Sequence, residues 1–253
     1  MQPVVCNSLA SNLKGQVMSV YVTGDIHGEL QLNRLGHKQW RQGRHLSKKD
    51  FLIVLGDFGI LWEDKVLPKE ERLIKWIDDR KYTVLFVDGN HENFSRLDAL
   101  PTTQMFGGLV GIVSKSIFHL RRGEIYSLDG KTFFVFGGAT SYDKQYRIPG
   151  RSWWDREVPS KEEENHALDN LEKAQWKVDY ILAHTLPESV VLAMYNIKAD
   201  RPRDMDPTRR FLDHVVKQTT FDRYYAGHWH DDTSCVINEK KYTIMYETVS
   251  FVV

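Results

Sequence analysis

Asp25 and His27 stand at i and i+2 in the stretch Val20-Tyr21-Val22-Thr23-Gly24-Asp25-Ile26-His27-Gly28, two side chains able to ligate a metal at the end of a β-rich run. The flanking glycines let the backbone turn sharply beside a bound ion. Asp-x-His alone is a weak signal, but four further segments repeat its grammar: Gly56-Asp57, Gly89-Asn90-His91-Glu92, Ala183-His184 and Gly227-His228-Trp229-His230. Glu92 aside, the five segments together carry two carboxylates, one amide and five imidazoles, half of the ten histidines in the chain. All are oxygen or nitrogen donors with no thiolate, which suits Mn, Fe, Zn, Ni or Co. So many ligands exceed the needs of one ion with open positions, and two ions are implied. Paired ions ~3.5–4 Å apart clamp the attacking and leaving oxygens of a phosphoryl displacement.

These loops need strands to present them. Val17–Thr23 reads as a buried strand, and Phe51–Leu55 is an unbroken apolar run of the kind covered on both faces of a sheet. Tyr82–Val87 is a third strand. Helices are expected between them, over Leu30–Arg41 (Leu32, Leu35 and Trp40 at helical spacing) and over Lys69–Lys81 behind Pro68. Strand, loop, helix recurring in this way is the mark of an α/β sheet, whose ligand chemistry gathers at the strand ends.

Ser116–Leu120, Glu124–Leu128 and Thr132–Phe136 read as short strands of a second, antiparallel sheet, with Asp129-Gly130 as a hairpin turn. Ser160 and Glu163 form a capping box for a helix running to Trp176. Tyr180–Ala183 and Arg223–Ala226 are strands that deliver the last two ligand loops. Pro187–Tyr195 and Pro207–Lys217 are helix candidates joined by the charged segment Lys198–Asp206, and Val236-Ile237 and Tyr242–Val252 close the chain as β-structure.

The 253 residues carry 34 basic and 34 acidic side chains, so net charge gives no reason to expect nucleic-acid or membrane partners. The 42% apolar share supports a packed core. Cys6 and Cys235 are distant and form no C-x-x-C, which makes a reducing cytoplasm the expected compartment. No apolar run approaches the ~20 residues of a spanning helix. Residues 1–17 read as an N-terminal extension, and 18–253 as a single domain.

With its five blocks in order, the chain resembles the calcineurin-like metallophosphoesterase superfamily from residue 18 onward. The resemblance implies an α/β (in some schemes α+β) metallo-dependent phosphatase fold, a four-layer β-sandwich of two mixed sheets flanked by helices. It implies that Asp25, His27 and His230 take one divalent ion, that Asn90, His184 and His228 take the other, and that Asp57 bridges them. A bridging ligand needs two oxygens, which a carboxylate has and an imidazole lacks. A water held between two cations becomes hydroxide near neutral pH and attacks phosphorus in line. His91, crowded by its neighbour Asn90, is placed as general acid or as a clamp on phosphate. Manganese is the ion expected to restore activity in vitro, with Fe, Zn, Ni or Co as alternatives.

One departure bears on substrate. Protein phosphatases of the superfamily follow the second block with Asp-Arg-Gly, whereas Gly56-Asp57 continues here as Phe58-Gly59-Ile60-Leu61-Trp62-Glu63-Asp64. Ile60 stands where the acid would be, which leaves the partner of His91 open between Glu63 and Asp64. The long connection 137–159 is read as an active-site loop. Its Arg147, Arg151 and Arg156 are candidates to grip phosphate, and Trp153-Trp154 a candidate stacking platform. The competing reading has these tryptophans pinning the loop to the core and the arginines solvated. A small nucleotide-like mono- or diester leads as substrate, followed by nuclease or nucleic-acid-end phosphatase action and then by phosphoprotein. A non-catalytic metal-binding scaffold is the reading from a different class. His37, His45, His119, His166 and His214 read as solvated or packed, Trp229 as packing, and Glu92 as a helix-start residue satisfying backbone amides.

Overall fold

The computed structural model describes residues 18–195 and 206–253; the extension 1–17 and all but the last residue of the charged segment Lys198–Asp206 lie outside them. Thirteen strands form two sheets. The first contains β1 (Val20–Thr23), β2 (Phe51–Leu55), β3 (Thr83–Val87), β4 (Thr102–Met105), β5 (Gly108–Ser114), β6 (Ile117–Leu120) and β13 (Val249–Phe251), in the order β13-β1-β2-β3-β6-β5-β4. The second contains β7 (Ile125–Leu128), β8 (Lys131–Phe136), β9 (Tyr180–Ala183), β10 (Arg223–Ala226), β11 (Thr233–Ile237) and β12 (Lys240–Ile244), in the order β11-β12-β10-β9-β8-β7. Each sheet has four parallel strands inside and antiparallel strands at its edges.

Period-two alternation of side chains assigns each strand residue to a layer. Val20, Val22, Phe51, Ile53, Leu55, Leu85 and Val87 meet Tyr126, Phe133, Val135, Leu182 and Tyr225 between the sheets. The alternate residues Leu52, Val54, Val84 and Phe86 face outward, where Ile77 of α1 (Pro68–Asp78) covers them with Leu32, Leu35 and Trp40. On the far side, Phe134, Phe136, Ile181, Ala183, Tyr224 and Ala226 lie under α3 (Lys161–Lys173), α4 (Glu188–Met194) and α5 (Pro207–Gln218). Fully burying one such side chain is worth about 1.5–3 kcal/mol. This is the sandwich of mixed sheets between helical layers. No helix among the described residues is long and apolar enough to cross a membrane.

Two expectations are corrected. The helix over Leu30–Arg41 is instead a set of 3₁₀ turns, Gly28–Leu30 and Leu32–Leu35, broken where Gly36 adopts an extended conformation (φ −72°, ψ 157°). Leu32 and Leu35, three residues apart, share a face in either helix type and are still buried, and Trp40 beyond the break is buried as well. The three strands over 116–136 do not form one sheet. Ile117–Leu120 extends the first sheet in parallel beside β3, while β7 and β8 form the edge hairpin of the second. Between β3 and β6 in sequence lie a short helix α2 (Phe94–Asp98) and the β4–β5 hairpin, which the residue pattern does not mark. The Ser160–Glu163 capping box is present, with both reciprocal bonds.

Candidate metal centre

The ligand loops gather where the parallel strands end. Asp25 and His27 follow β1, Asp57 follows β2, Asn90 and His91 follow β3, His184 follows β9, and His228 and His230 follow β10. The first two loops are laced together: the N–H groups of Ile26 and His27 both donate to the Asp57 carbonyl (3.1 and 2.8 Å), and Gly28 N–H donates to Phe58 O (2.8 Å). His27, Asp57, His228 and His230 all hold positive φ, between 47° and 66°. Such a conformation costs on the order of 1–3 kcal/mol for a non-glycine residue and persists where the surroundings impose it. Glycine is required beside them. A Cβ on Gly56 would overlap the His184 ring, and one on Gly89 would overlap the Asp57 carboxylate.

Two groups of donor atoms lie within 4.8 Å of one another: Asp25 with His27 and His230, and Asp25 with Asp57 and His184. In the first, His230 Nε2 is 3.0 Å and His27 Nε2 3.8 Å from Asp25 Oδ2. The two imidazole Nε2 atoms face each other at 3.2 Å. In the second, His184 Nδ1–H donates to Leu55 O (2.7 Å), which aims Nε2 inward at Asn90 Oδ1 (3.0 Å) and Asp57 Oδ1 (3.5 Å). Asp25, rather than Asp57, is the carboxylate common to the two groups. His228 is outside both, its ring centroid 5.0 Å from that of His184.

The electrostatics suit cations. Asp25 and Asp57 are 0% and 1% exposed. Burial pushes the Asp57 carboxyl above its usual range. Burial acts on Asp25 too, but His230, His184 and the His228 N–H outweigh it and bring its pKa down. Desolvation lowers His27 and His91 and pushes His228 down to about 3, so these rings keep a free lone pair at neutral pH. Asp25 Oδ2 is buried beside the Nε2 atoms of His230 and His27. Two buried carboxylates, imidazoles and an amide oxygen, with no thiolate, form a donor set that fits two divalent ions.

Residues without any spacing signal hold these ligands in place. Asn90 Nδ2 donates to Ser141 Oγ (3.0 Å), and Ser141 donates in turn to Glu157 through its hydroxyl (2.6 Å) and backbone (3.0 Å). This chain turns the amide oxygen of Asn90 toward the site. Lys144 Nζ completes it, 2.9 Å from Glu157. Tyr246 stacks on the His230 ring (4.5 Å, 14°) and is itself held by Gln31 and Arg34. Glu92 does accept from backbone amides, but from Phe58 (2.8 Å) and Gly59 (3.4 Å) in the Asp57 loop. The α2 helix is capped by Asn93 instead.

Of the substrate-loop candidates, only Arg147 reaches the centre. Its Nη2 is 3.5 Å from His91 Nε2, and Asp143 accepts from its Nε and Nη2 (2.9 and 2.6 Å). His91 therefore meets Asp143 through Arg147, while Asp64 accepts from Asn93 (3.4 Å) and Glu63 lines the adjacent cleft. Arg151 is exposed and outside the cleft lining. Arg156 is committed to Asp98 and Glu163. The paired-tryptophan platform is corrected: Trp154 is 7% exposed and packs edge-on against Trp62, and Trp153 lies against Lys144. Trp229 stacks on Tyr195 beside Arg209. His119 is buried against Asp88 and Phe86.

Several solved structures are similar at low identity. Phosphopantetheinyl hydrolase from Mycobacterium tuberculosis aligns at TM-score 0.47 and 14% identity, covering 92% of this chain and 91% of its own. GAP50, the anchor in the inner membrane complex of Plasmodium, aligns at 0.48 and 13%, covering 90% and 71%. Sulfate thiohydrolase SoxB from Thermus thermophilus aligns at 0.43 and 11%, covering 92% and 52%. No curated protein matches the chain. The model of the calcineurin-like phosphoesterases matches residues 18–232, a span that contains all five ligand loops, and the chain belongs to that family.

Proposed function

We propose that this protein is a dinuclear metal-dependent phosphoesterase that hydrolyses small phosphate mono- or diesters. The observation that carries this reading is the buried pair Asp25 and Asp57, which no Lys or Arg among the described residues approaches within ion-pair distance. Ions bound there supply an acidified water and neutralise phosphoryl oxygens. Asp25, His27 and His230 would hold one ion and Asn90, His184 and His228 the other, with Asp57 serving both; the family resemblance supports this division. The His91 N–H donates to Asp57 Oδ1 (2.7 Å), which fixes His91 to the ligand loop. His91 and Arg147 would grip the phosphoryl group together, and His91, whose protonated form the bound phosphate anion favours, would pass its proton to the leaving oxygen. The bond from phosphorus to the leaving alcohol breaks as the oxygen of water bonds to phosphorus, with no covalent enzyme intermediate.

Chelator-stripped protein assayed on aryl phosphate mono- and diesters with Mn, Fe, Zn, Ni and Co is expected to show turnover, with manganese foremost. Asp57→Asn should abolish it, and His91→Ala should lower kcat by about 10²–10⁴-fold. Ion binding without turnover in any metal would favour the scaffold reading. A parallel panel of nucleotides, cyclic nucleotides, phosphopeptides and short oligonucleotides ranks the substrate classes.

A further inference from the structure

Beside the metal centre lies a cleft of about 610 Å³, within the roughly 300–1,000 Å³ span of small-molecule sites. His27, His91 and Arg147 form part of its lining, so it is continuous with the reacting end of the site. The rest is mainly apolar: Leu30, Ile60, Trp62, Leu67 and Leu73. Leu30 is 80% exposed and Leu67 41%, large apolar side chains left facing water. Trp62 is pinned edge-on against Trp154, with its ring centroid 6.4 Å from His91. Charge in the lining disfavours a second phosphate. Besides Arg147, the described lining holds one cation, Lys69, and Glu29 takes it at 2.9 Å. Glu70 is occupied by Arg96, and Glu63 adds a further carboxylate.

We propose that this cleft seats the leaving alcohol of the ester and that this alcohol is apolar, an aryl or alkyl group covering Leu30, Leu67 and Trp62, rather than a polyphosphate or a nucleic-acid strand. The inference rests on the phosphoesterase reading for the position of phosphorus, while the seat itself stands on the cleft walls. His91 borders both, so the oxygen that receives its proton belongs to the group in the cleft. The reaction then releases phosphate, or a phosphate monoester from a diester, together with the free alcohol.

The test is a series of phenyl, 4-methylphenyl, 4-ethylphenyl and 4-butylphenyl phosphates, whose leaving groups differ little in acidity. Assayed with manganese-loaded protein, kcat/KM is expected to rise up to about fourfold per added methylene. The double variant Leu30→Asn, Leu67→Asn alters exposed positions, and its thermal midpoint is measured to check that it remains folded. It should bring the ratio between the butyl and phenyl esters down toward one. Calorimetric binding of the alcohols themselves, 4-butylphenol against phenol, should follow the same order in wild type and lose it in the variant. A flat ester series with measurable turnover overturns the apolar seat and leaves hydrolysis standing. So does faster turnover of a nucleoside diphosphate or an oligonucleotide end than of the butyl ester. Alcohol binding of the expected pattern in a protein that turns over no ester upholds the seat and overturns the phosphoesterase reading instead.

Discussion

Two clusters of buried acid lie close together in this protein, and they are completed differently. Asp88, at the end of β3, is 1% exposed and has its own counter-ion: Arg122 Nη2 lies 2.6 Å away, its Nε donates at 2.8 Å, and His119 Nε2 is 3.1 Å off. Burial alone would raise the Asp88 pKa, but Arg122 and His119 hold it well below the usual carboxylate range. Arg122 goes on to bond Glu163 and the carbonyls of Arg156 and Glu157. Two residues along the chain the next ligand loop begins, and the nearby Asp25 and Asp57 face imidazoles: burial has lowered His27 and His228, while contact with Asp25 raises His230. A buried carboxylate supplied with a guanidinium is a structural joint. One that faces imidazoles, with no Lys or Arg paired to it among the described residues, is arranged for a charge that the chain does not provide.

Several measurements can break that contrast or sharpen it. Asp88→Asn should leave Arg122 without its main partner and cost about 3–5 kcal/mol of stability, read as a lower urea midpoint. In metal-free protein Asp57→Asn should do the reverse, since it removes one of two crowded carboxylates. Equal destabilisation by both would dissolve the distinction. An ion at about 100 times its Kd should then stabilise wild type by about 2.7 kcal/mol and Asp57→Asn far less. Ser141→Ala, which frees the Asn90 amide to rotate, should weaken ion affinity by about 10–100-fold by calorimetry while the fold persists. The smallest effect concerns acid. Burial alone would raise the Glu163 carboxyl, but Arg122 and Arg156 hold it below its ordinary value. Its contribution is therefore present above the unfolded pKa of about 4.3 and is lost as pH falls through the folded value. Glu163→Gln should make the acid limb of the stability curve shallower, by a margin that solvent at this half-open site keeps small. An unchanged limb would remove Glu163 from the joint.

Much of this was legible from residue types. Phe51–Leu55, Tyr180–Ala183 and Arg223–Ala226 form strands over the spans their apolar runs mark. The ligand loops announced themselves because Asp, Asn and His after a strand and a small residue have few other uses. What escaped notice depends on contacts between distant segments. Nothing near Ser141 or Glu157 points to Asn90, which is 51 residues from Ser141 in sequence. The β4–β5 hairpin turns on Phe106-Gly107, with φ of 57° and 91°, and a phenylalanine is a poor advertisement for a left-handed turn. Ile117–Leu120 joins the first sheet through its register with β3, a partner that local pattern cannot name. Arg34, spaced as a helix residue, instead donates to the carbonyls of Asp25 and Tyr246, and those bonds favour turns over a regular helix.

The imidazoles of His27 and His230 meet at 3.2 Å across 203 residues of sequence. One comes from the first sheet and the other from the second. An ion shared by them would fasten the two halves of the sandwich to each other and close a loop spanning most of the polypeptide. Cross-links over such distances restrict an unfolded chain severely, although the added cost grows only with the logarithm of length. Loaded protein should then come apart as one unit, and protease resistance should track the ion rather than either sheet alone.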